Sequence, residues 1–210
     1  MNDRQTNPQP PRLRIDFYNN AVLMSRWQDD GRLIAYPVSV HDVVTACTKV
    51  ECGSGLLPAN ALFWKQQSNQ SLLGIYVPAR RWHVQIEERS YHVPMPPFVF
   101  VGFGATYQIF AVKKRQLSQT APLYHVPCPN VHTTGTVCQG NTLFPNCSPQ
   151  TIQQACQLFL EGSLFNADLS RGKCHSYPED VRKLWAELNG RKRFPLSELV
   201  PAQRTIYSLL

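Results

Sequence analysis

The sequence has no Cys-x-x-Cys pair, although it carries seven cysteines: Cys47, Cys52, Cys128, Cys138, Cys147, Cys156 and Cys174. Without that spacing a zinc ribbon or a thioredoxin-type redox site is not indicated. A zinc set drawn from Cys128, Cys138, Cys147 and either His125 or His132 stays open, with gaps wider than the ribbon pattern. No apolar run approaches the eighteen or so residues of a membrane helix. The opening "MNDRQTNPQPPRLR" holds no apolar stretch, so it reads as a flexible arm over residues 1–12 rather than a signal peptide. Seven cysteines, an odd number, without a secretory signal point to free thiols in a soluble, cytoplasmic protein. "GFGATY" has two glycines but no third glycine and no helix after it, so it is not a dinucleotide loop. Acidic side chains are few, 14 against 21 lysines and arginines, a formal charge of +7.

What is present is a sizeable apolar fraction, 43%, and many prolines, 17 in 210 residues. The first supports a packed core of ordinary domain size; the second favours shaped loops over an all-helical chain. Leu13, Ile15 and Phe17 alternate with charged residues as a half-buried strand does. Asn19-Asn20 and Asp29-Asp30-Gly31 supply turns, which predicts an N-terminal antiparallel meander. Ser39, followed three residues later by Asp42, starts a helix whose apolar stripe is Val40, Val43, Val44 and Cys47. Strands are expected at 61–66, 72–77, 81–88, 98–103 and 106–112, with Gly102 and Gly104 marking the last bend, as one continuing meander. Ser148 and Pro149 open a helix with Ile152, Ala155, Cys156 and Phe159 on one face. Ser176 and Glu179 form a capping box for a second, with Val181, Leu184, Trp185 and Leu188 facing inward and Asn189-Gly190 as its stop. A last short helix is expected from Leu196 onward. Trp64, Trp82 and Trp185 read as core, and Cys47 and Cys156 fall on apolar helix faces.

Between Lys113 and Cys147 no periodicity is visible, far more chain than a typical connection of about 4–6 residues. The stretch "CPNVHTTGTVCQGN" lies inside it. Cys138 there is either a reactive thiol on a built loop or one more small apolar residue. Around it stand backbone N–H groups near Gly135 and Gly140, the Asn130 carboxamide and His132, all donors that favour a thiolate. Pro129 stiffens the backbone before Asn130. Asn141 suits a hydrogen bond to the loop backbone. His125 or His132 could pair with Cys138 as a base. His83 and His92, beside strands, read as packed or solvent-facing.

These residues resemble the ubiquitin-conjugating enzymes. "PNVHTTGTVC" is similar to their active-site segment, in which a His-Pro-Asn signature precedes the thioester-forming cysteine by eight residues from the Asn. Asn130 and Cys138 have that separation. "YHVPMPPFVFV" resembles the family's Pro-rich turn into a sheet strand, and "CSPQTIQQACQLFLEGSLFNAD" its helix and the polar segment beyond. The resemblance spans roughly Trp82 to Asp168 and is strongest to the prokaryotic branch, in particular the protein B family of PRTRC (ParB-related, ThiF-related cassette) systems.

It implies an α+β, ubiquitin-conjugating-enzyme-like fold: an antiparallel meander with an N-terminal strand extension, a long active-site loop and C-terminal helices. The implied organisation is an arm at 1–12, strands and first helix at 13–60, the conjugating-like core at 61–175 and a helical extension at 176–210. It implies Cys138 as thioester nucleophile, Asn130 for the oxyanion and the loop, and His132 as a candidate base. Gly135, Thr136, Gly140 and Asn141 would be binding positions. Cys128 stands where the family has His, either packed in the core or paired with Cys138 in a redox couple, and Asp168 is the nearest candidate for an acid that orients an incoming lysine. Partners would be a ThiF-like activating enzyme and a small ubiquitin-like protein, with no metal, no organic cofactor and no membrane. An inactive adaptor of the same fold and a cysteine hydrolase are the competing readings. The basic clusters Arg80-Arg81, Lys113-Lys114-Arg115 and Arg191-Lys192-Arg193 suit an acidic protein partner better than nucleic acid, since no nucleic-acid motif accompanies them.

Overall fold

The chain is seen in a computed structural model that describes residues 13–28, 30–48, 54–67 and 70–210, with Cys47 and Thr48 described in backbone only. The expected arm at 1–12, Asp29 of the second turn, Cys52 and the side chain of Cys47 lie outside the described residues. Two compact units divide the chain, Met1–Gly53 and Ser54–Leu210.

In the first unit β1 (Leu13–Phe17), β2 (Val22–Trp27) and β3 (Leu33–Val38) form an antiparallel sheet in that order, and α1 (Val40–Thr48) follows. Helix α1 starts as its sequence indicates: the Asp42 N–H donates to Ser39 Oγ at 2.9 Å, and the Ser39 hydroxyl donates back to the Asp42 carboxylate at 2.6 Å. The burial differs from expectation. Leu13, Ile15 and Phe17 of β1 and Val40 and Val44 of α1 are exposed. Among the described residues of this unit only Val22 and Ser25 are buried, so the periodicity formed the elements without burying these stripes.

The second unit runs β4 (Ala61–Gln67), β5 (Gln70–Val77), β6 (Arg80–Ile86), β7 (Arg89–Met95), β8 (Phe98–Phe103), β9 (Thr106–Ala111), β10 (Pro122–His125), α2 (Ile152–Gly162), β11 (Leu164–Phe165), α3 (Val181–Leu188) and β12 (Pro201–Thr205), with 3-10 turns at Leu196–Glu198 and Ile206–Leu209. The architecture is α+β. A six-stranded antiparallel sheet has the order β12-β10-β9-β8-β5-β4, and a second sheet has the order β11-β6-β7. The meander is therefore interrupted: β5 pairs with β8, and the β6–β7 hairpin leaves to form its own sheet. Pro78 on one side and Pro96-Pro97 on the other lack the N–H groups that would carry a ladder across those joints. Strand β7 escaped the sequence because its turn is Glu87-Glu88, with Glu87 at φ 53° where glycine or asparagine is usual.

Helix stripes behaved as their spacing indicates. Ile152, Ala155, Cys156 and Phe159 of α2 and Val181, Leu184, Trp185 and Leu188 of α3 are all buried, in one core with Leu73, Ile75, Phe98, Phe100 and Ile109 of the sheet. Each of the larger aliphatic and phenyl side chains contributes roughly 1.5–3 kcal/mol by leaving water. Trp82 is buried as expected, while Trp64 is half-buried. Ser148 Oγ accepts from the Thr151 N–H at 3.2 Å ahead of α2. The cap of α3 is not Ser176 but Asp180, whose carboxylate accepts from the Arg182 N–H at 3.0 Å. Ser176 instead donates to Glu198 at 2.6 Å. The expected terminal helix is a strand between two 3-10 turns, because Pro201 opens an edge strand beside β10. Gly104, at φ 56°, makes the β8–β9 turn, whereas Gly102 lies within β8, where a Cβ would stand 2.6 Å from Cys147 Sγ. Ile206 and Leu209 cover the other side of the sheet, with Val99, Val101, Phe110 and Leu123. Among the described residues no helix is long and apolar enough to cross a membrane.

Candidate active site

The segment read as patternless contains β10 and, after it, a narrow hairpin from Asn130 to Cys138. The Cys138 N–H donates to the Asn130 carbonyl at 2.8 Å, Val131 pairs with Val137, and the His132 N–H donates to the Thr136 carbonyl at 2.8 Å. Val131 and Val137 are buried, which fixes one face of the hairpin inward. The hairpin is seated on β9. The Val137 N–H donates to the Tyr107 carbonyl and the Ile109 N–H to the Gly135 carbonyl, both at 2.9 Å. Strand β10 covers only Phe110 and Ala111 of β9, so the hairpin satisfies backbone groups that would otherwise form an open edge. Gly135, at φ 84°, lets the hairpin tip lie on the Phe110 ring, which any Cβ there would overlap.

Asn130 stands in the left-handed region, φ 58°, a conformation asparagine tolerates better than most residues. Its N–H donates to the Asp168 carbonyl at 3.0 Å and its Nδ2 to the Leu164 carbonyl at 3.2 Å. Its Oδ1 is buried without a partner among the described residues. Asn130 thus ties the cysteine hairpin to the chain that follows α2.

Cys138 opens onto a cleft of about 330 Å³, lined also by Asn130, Gln139, Gly140, Asn141, Ser163, Leu164, Asn166 and Asp168. Gln139 Nε2 donates to the Ala105 carbonyl at 2.6 Å and fixes the loop after the cysteine. Asp168 is held from both ends: its N–H donates to Asn166 Oδ1, and Asn166 Nδ2 donates to its Oδ2, each at 2.8 Å. A carboxylate, a carboxamide and an exposed thiol therefore share one cleft.

Of the five cysteines whose side chains are described, all free, Cys138 alone is exposed. Burial pushes the thiols of Cys147 and Cys156 up, to about 11 and about 12, so both stay protonated at neutral pH. Cys128 is fully buried and burial pushes its thiol well up, although the Lys173 ammonium beside it pulls the other way. Lys173 is itself buried, and desolvation lowers its amine. Its Nζ donates to the His132 carbonyl at 3.4 Å, under the hairpin. Nothing local in the sequence signalled Lys173.

The structure brings Cys138, Asn130, Gly140, Asn141 and Asp168 together. It does not bring in the rest. Gly135 and Thr136 belong to the seat on β9 and do not line the cleft. His132 makes no hydrogen bond to Cys138 among the described residues and does not line the cleft either. His125 lies half-buried on β10, its imidazole pKa lowered by burial and then by Lys173, also outside the cleft. Asn141 makes no hydrogen bond among the described residues, so its loop is held instead by the Thr142 N–H on the Gln139 carbonyl at 2.9 Å. No cluster of three His, Cys, Asp or Glu with metal-holding geometry exists among the described residues, which leaves the zinc reading without a ligand set.

A family model described as prokaryotic E2 family D matches residues 39–202. The chain belongs to prokaryotic E2 family D. The match begins at Ser39, the cap of α1, so β1, β2 and β3 stand outside the family D span, while the hairpin, the cleft and α3 stand inside it. No curated protein and no solved structure matches the chain significantly. Membership in family D makes this a ubiquitin-conjugating-like protein.

Proposed function

We propose that the chain carries a small ubiquitin-like protein as a thioester on Cys138. The observation that carries this reading is the exposure of Cys138 at a cleft shared with Asn130 and Asp168. In the first step the Cys138 thiolate attacks the carbonyl carbon of the thioester held by a ThiF-like activating enzyme. A C–S bond forms at Cys138, the donor C–S bond breaks, and the donor cysteine leaves as thiolate. In the second step an amine attacks the same carbonyl, Cys138 leaves as thiolate, and the amine proton passes to a base.

Asn130 supports both steps by holding the hairpin. Its Nδ2 also carries a second N–H that can donate to the oxyanion, an interaction worth about 3 kcal/mol of barrier in comparable sites. Asp168 supports the second step as the acceptor that orients the amine and takes its proton. The energy enters upstream, where the activating enzyme consumes ATP. The resemblance to PRTRC protein B supplies the setting, a cassette that encodes the activating enzyme and the ubiquitin-like protein beside this chain.

The test is to incubate the chain with those two neighbours and ATP, then run a non-reducing gel. A thiol-sensitive adduct that vanishes in Cys138→Ala, and becomes a thiol-resistant oxyester in Cys138→Ser, supports the carrier. Binding without any adduct selects the adaptor. ATP-independent cleavage of an ester or peptide selects the hydrolase, a reading weakened by the absence of His125 and His132 from the cleft.

A further inference from the structure

Two of the three basic clusters converge in the fold. Arg80 opens β6, and Lys192 and Arg193 follow α3, yet all three line one cleft of about 470 Å³. The convergence is built rather than incidental. The His92 N–H donates to Asn189 Oδ1 at 2.9 Å and the Gly190 N–H donates to the His92 carbonyl at 3.0 Å, which pins the end of α3 to β7. The apolar part of the lining comes from Met95 and Phe194, both buried, from Pro96, and from Leu196, which is exposed.

No aspartate or glutamate lines this cleft. Among the described residues Arg80, Lys192 and Arg193 make no ion pair, unlike Arg182, which holds Asp180 and Glu87 at 2.9 and 3.0 Å. Arg80 packs over the Trp82 ring, its guanidinium carbon 3.5 Å from the ring centre. Three cations gathered without a counter-ion, in a chain already at +7, repel one another until an anion arrives. The apolar lining adds a place for one side chain among the charges.

We infer that this cleft docks an acidic peptide segment of a partner protein, anchored by one apolar side chain. Single-stranded nucleic acid fits less well. It requires open aromatic faces for stacking, whereas Phe194 is buried and Trp82 is covered by Arg80. The third basic cluster, Lys113 and Lys114, lines a different cleft with Leu117 and Tyr124. The cleft shares no lining residue with that of Cys138, so the docking stands or falls apart from the thioester chemistry.

The experiment is fluorescence anisotropy of the full chain with a panel of short labelled Asp/Glu peptides carrying a single Leu or Phe. The same peptides with that residue changed to Ser, and an oligo-dT of equal charge, serve as comparisons. The triple variant Arg80→Glu, Lys192→Glu, Arg193→Glu is set against Lys113→Glu, Lys114→Glu, Arg115→Glu, which reverses equal charge elsewhere. Leu196→Ser tests the apolar lining with the charges intact, and far-UV circular dichroism verifies that each variant is folded. The expected result is a loss of about tenfold or more for the cleft triple and for the Ser peptides, a smaller loss for Leu196→Ser, and little change for the other triple. Equal losses in both triples, tighter binding of the oligo-dT, or no binding by any peptide of the panel overturns the inference.

Discussion

The amide of Cys138 donates to the carbonyl of Asn130 at 2.8 Å, and Asn130 holds that carbonyl in place from a left-handed backbone conformation. The position of the thiol is therefore set by the residue eight places before it. Two substitutions separate backbone from carboxamide. Asn130→Gly keeps the left-handed turn and deletes the side chain, so thioester loading should proceed while discharge to an amine slows by about two orders of magnitude. Asn130→Ala also strains the turn by about 1–2 kcal/mol and should lower the melting temperature as well. Single-turnover loading and discharge, read beside thermal unfolding, check both.

Gly135→Ala forces a methyl group into the Phe110 ring. Overpacking of this kind costs about 1–3 kcal/mol, with a further cost for the positive φ. Lower stability and a less reactive Cys138 are expected together. Phe110→Leu in the same chain should recover part of the loss, and the coupling measured by a double-mutant cycle checks the contact.

Asp168→Asn keeps an oxygen able to accept from Asn166 but removes the carboxylate charge. Loading of Cys138 should be nearly unchanged, while discharge to free lysine falls by about 10²-fold, the lower end of what a positioned base contributes. An equal loss in both steps would place the effect in folding of the cleft instead.

Thiol labelling should be selective. In a chain with Cys47→Ser and Cys52→Ser, iodoacetamide at about pH 7 should modify Cys138 and leave Cys128, Cys147, Cys156 and Cys174 untouched until the fold opens. The raised pKa of the buried thiols has a linked consequence. Above the unfolded value near about 8.5 the unfolded chain releases these protons first, so stability falls as pH rises further. Mass spectrometry of the labelled sites and urea unfolding at alkaline pH check the two halves.

Lys173 has the opposite sign. Burial lowers its amine, so the unfolded chain binds this proton more tightly than the folded one and the charged lysine weakens the fold. The penalty is full below the folded value and fades as pH rises toward the unfolded value near about 10.4. In a Cys128→Ala background, the stability of Lys173→Met relative to its parent should be greatest near about pH 7, above the histidine range, and decline toward about pH 10. Urea midpoints across that range check it; a flat difference would mean that burial leaves the proton affinity of the amine unchanged.

Legibility followed locality. The stripes of α2 and α3 repeat within their own helices, and both reached the core. The Asn130–Cys138 spacing was also local and survived as a hairpin. Strands β10 and β12 were hidden because Pro-Leu-Tyr-His and Pro-Ala-Gln-Arg-Thr are short and proline-led, and each is defined by its pairing in the sheet rather than by its own pattern. Asp168 came from the family resemblance rather than from any local pattern, and Lys173 reaches the underside of the hairpin through a tertiary contact that no window of sequence contains. The exposed Val40 and Val44 of α1 show the converse: a correct period fixes the element, not what lies against it.

Arg204 donates to the Thr134 carbonyl at 3.1 Å and sits over the Phe110 ring, with Ile206 and Leu209 packed on the same side of the sheet. Arg204 lies 70 residues after Thr134, yet it and its neighbours brace the hairpin that presents Cys138. During translation the thiol leaves the ribosome well before its brace does, and a chain folds as a unit only once its contacts are available. Seating of the hairpin therefore waits for the emergence of residues 204–209, so the loop around Cys138 settles only after both helices that follow it have been made.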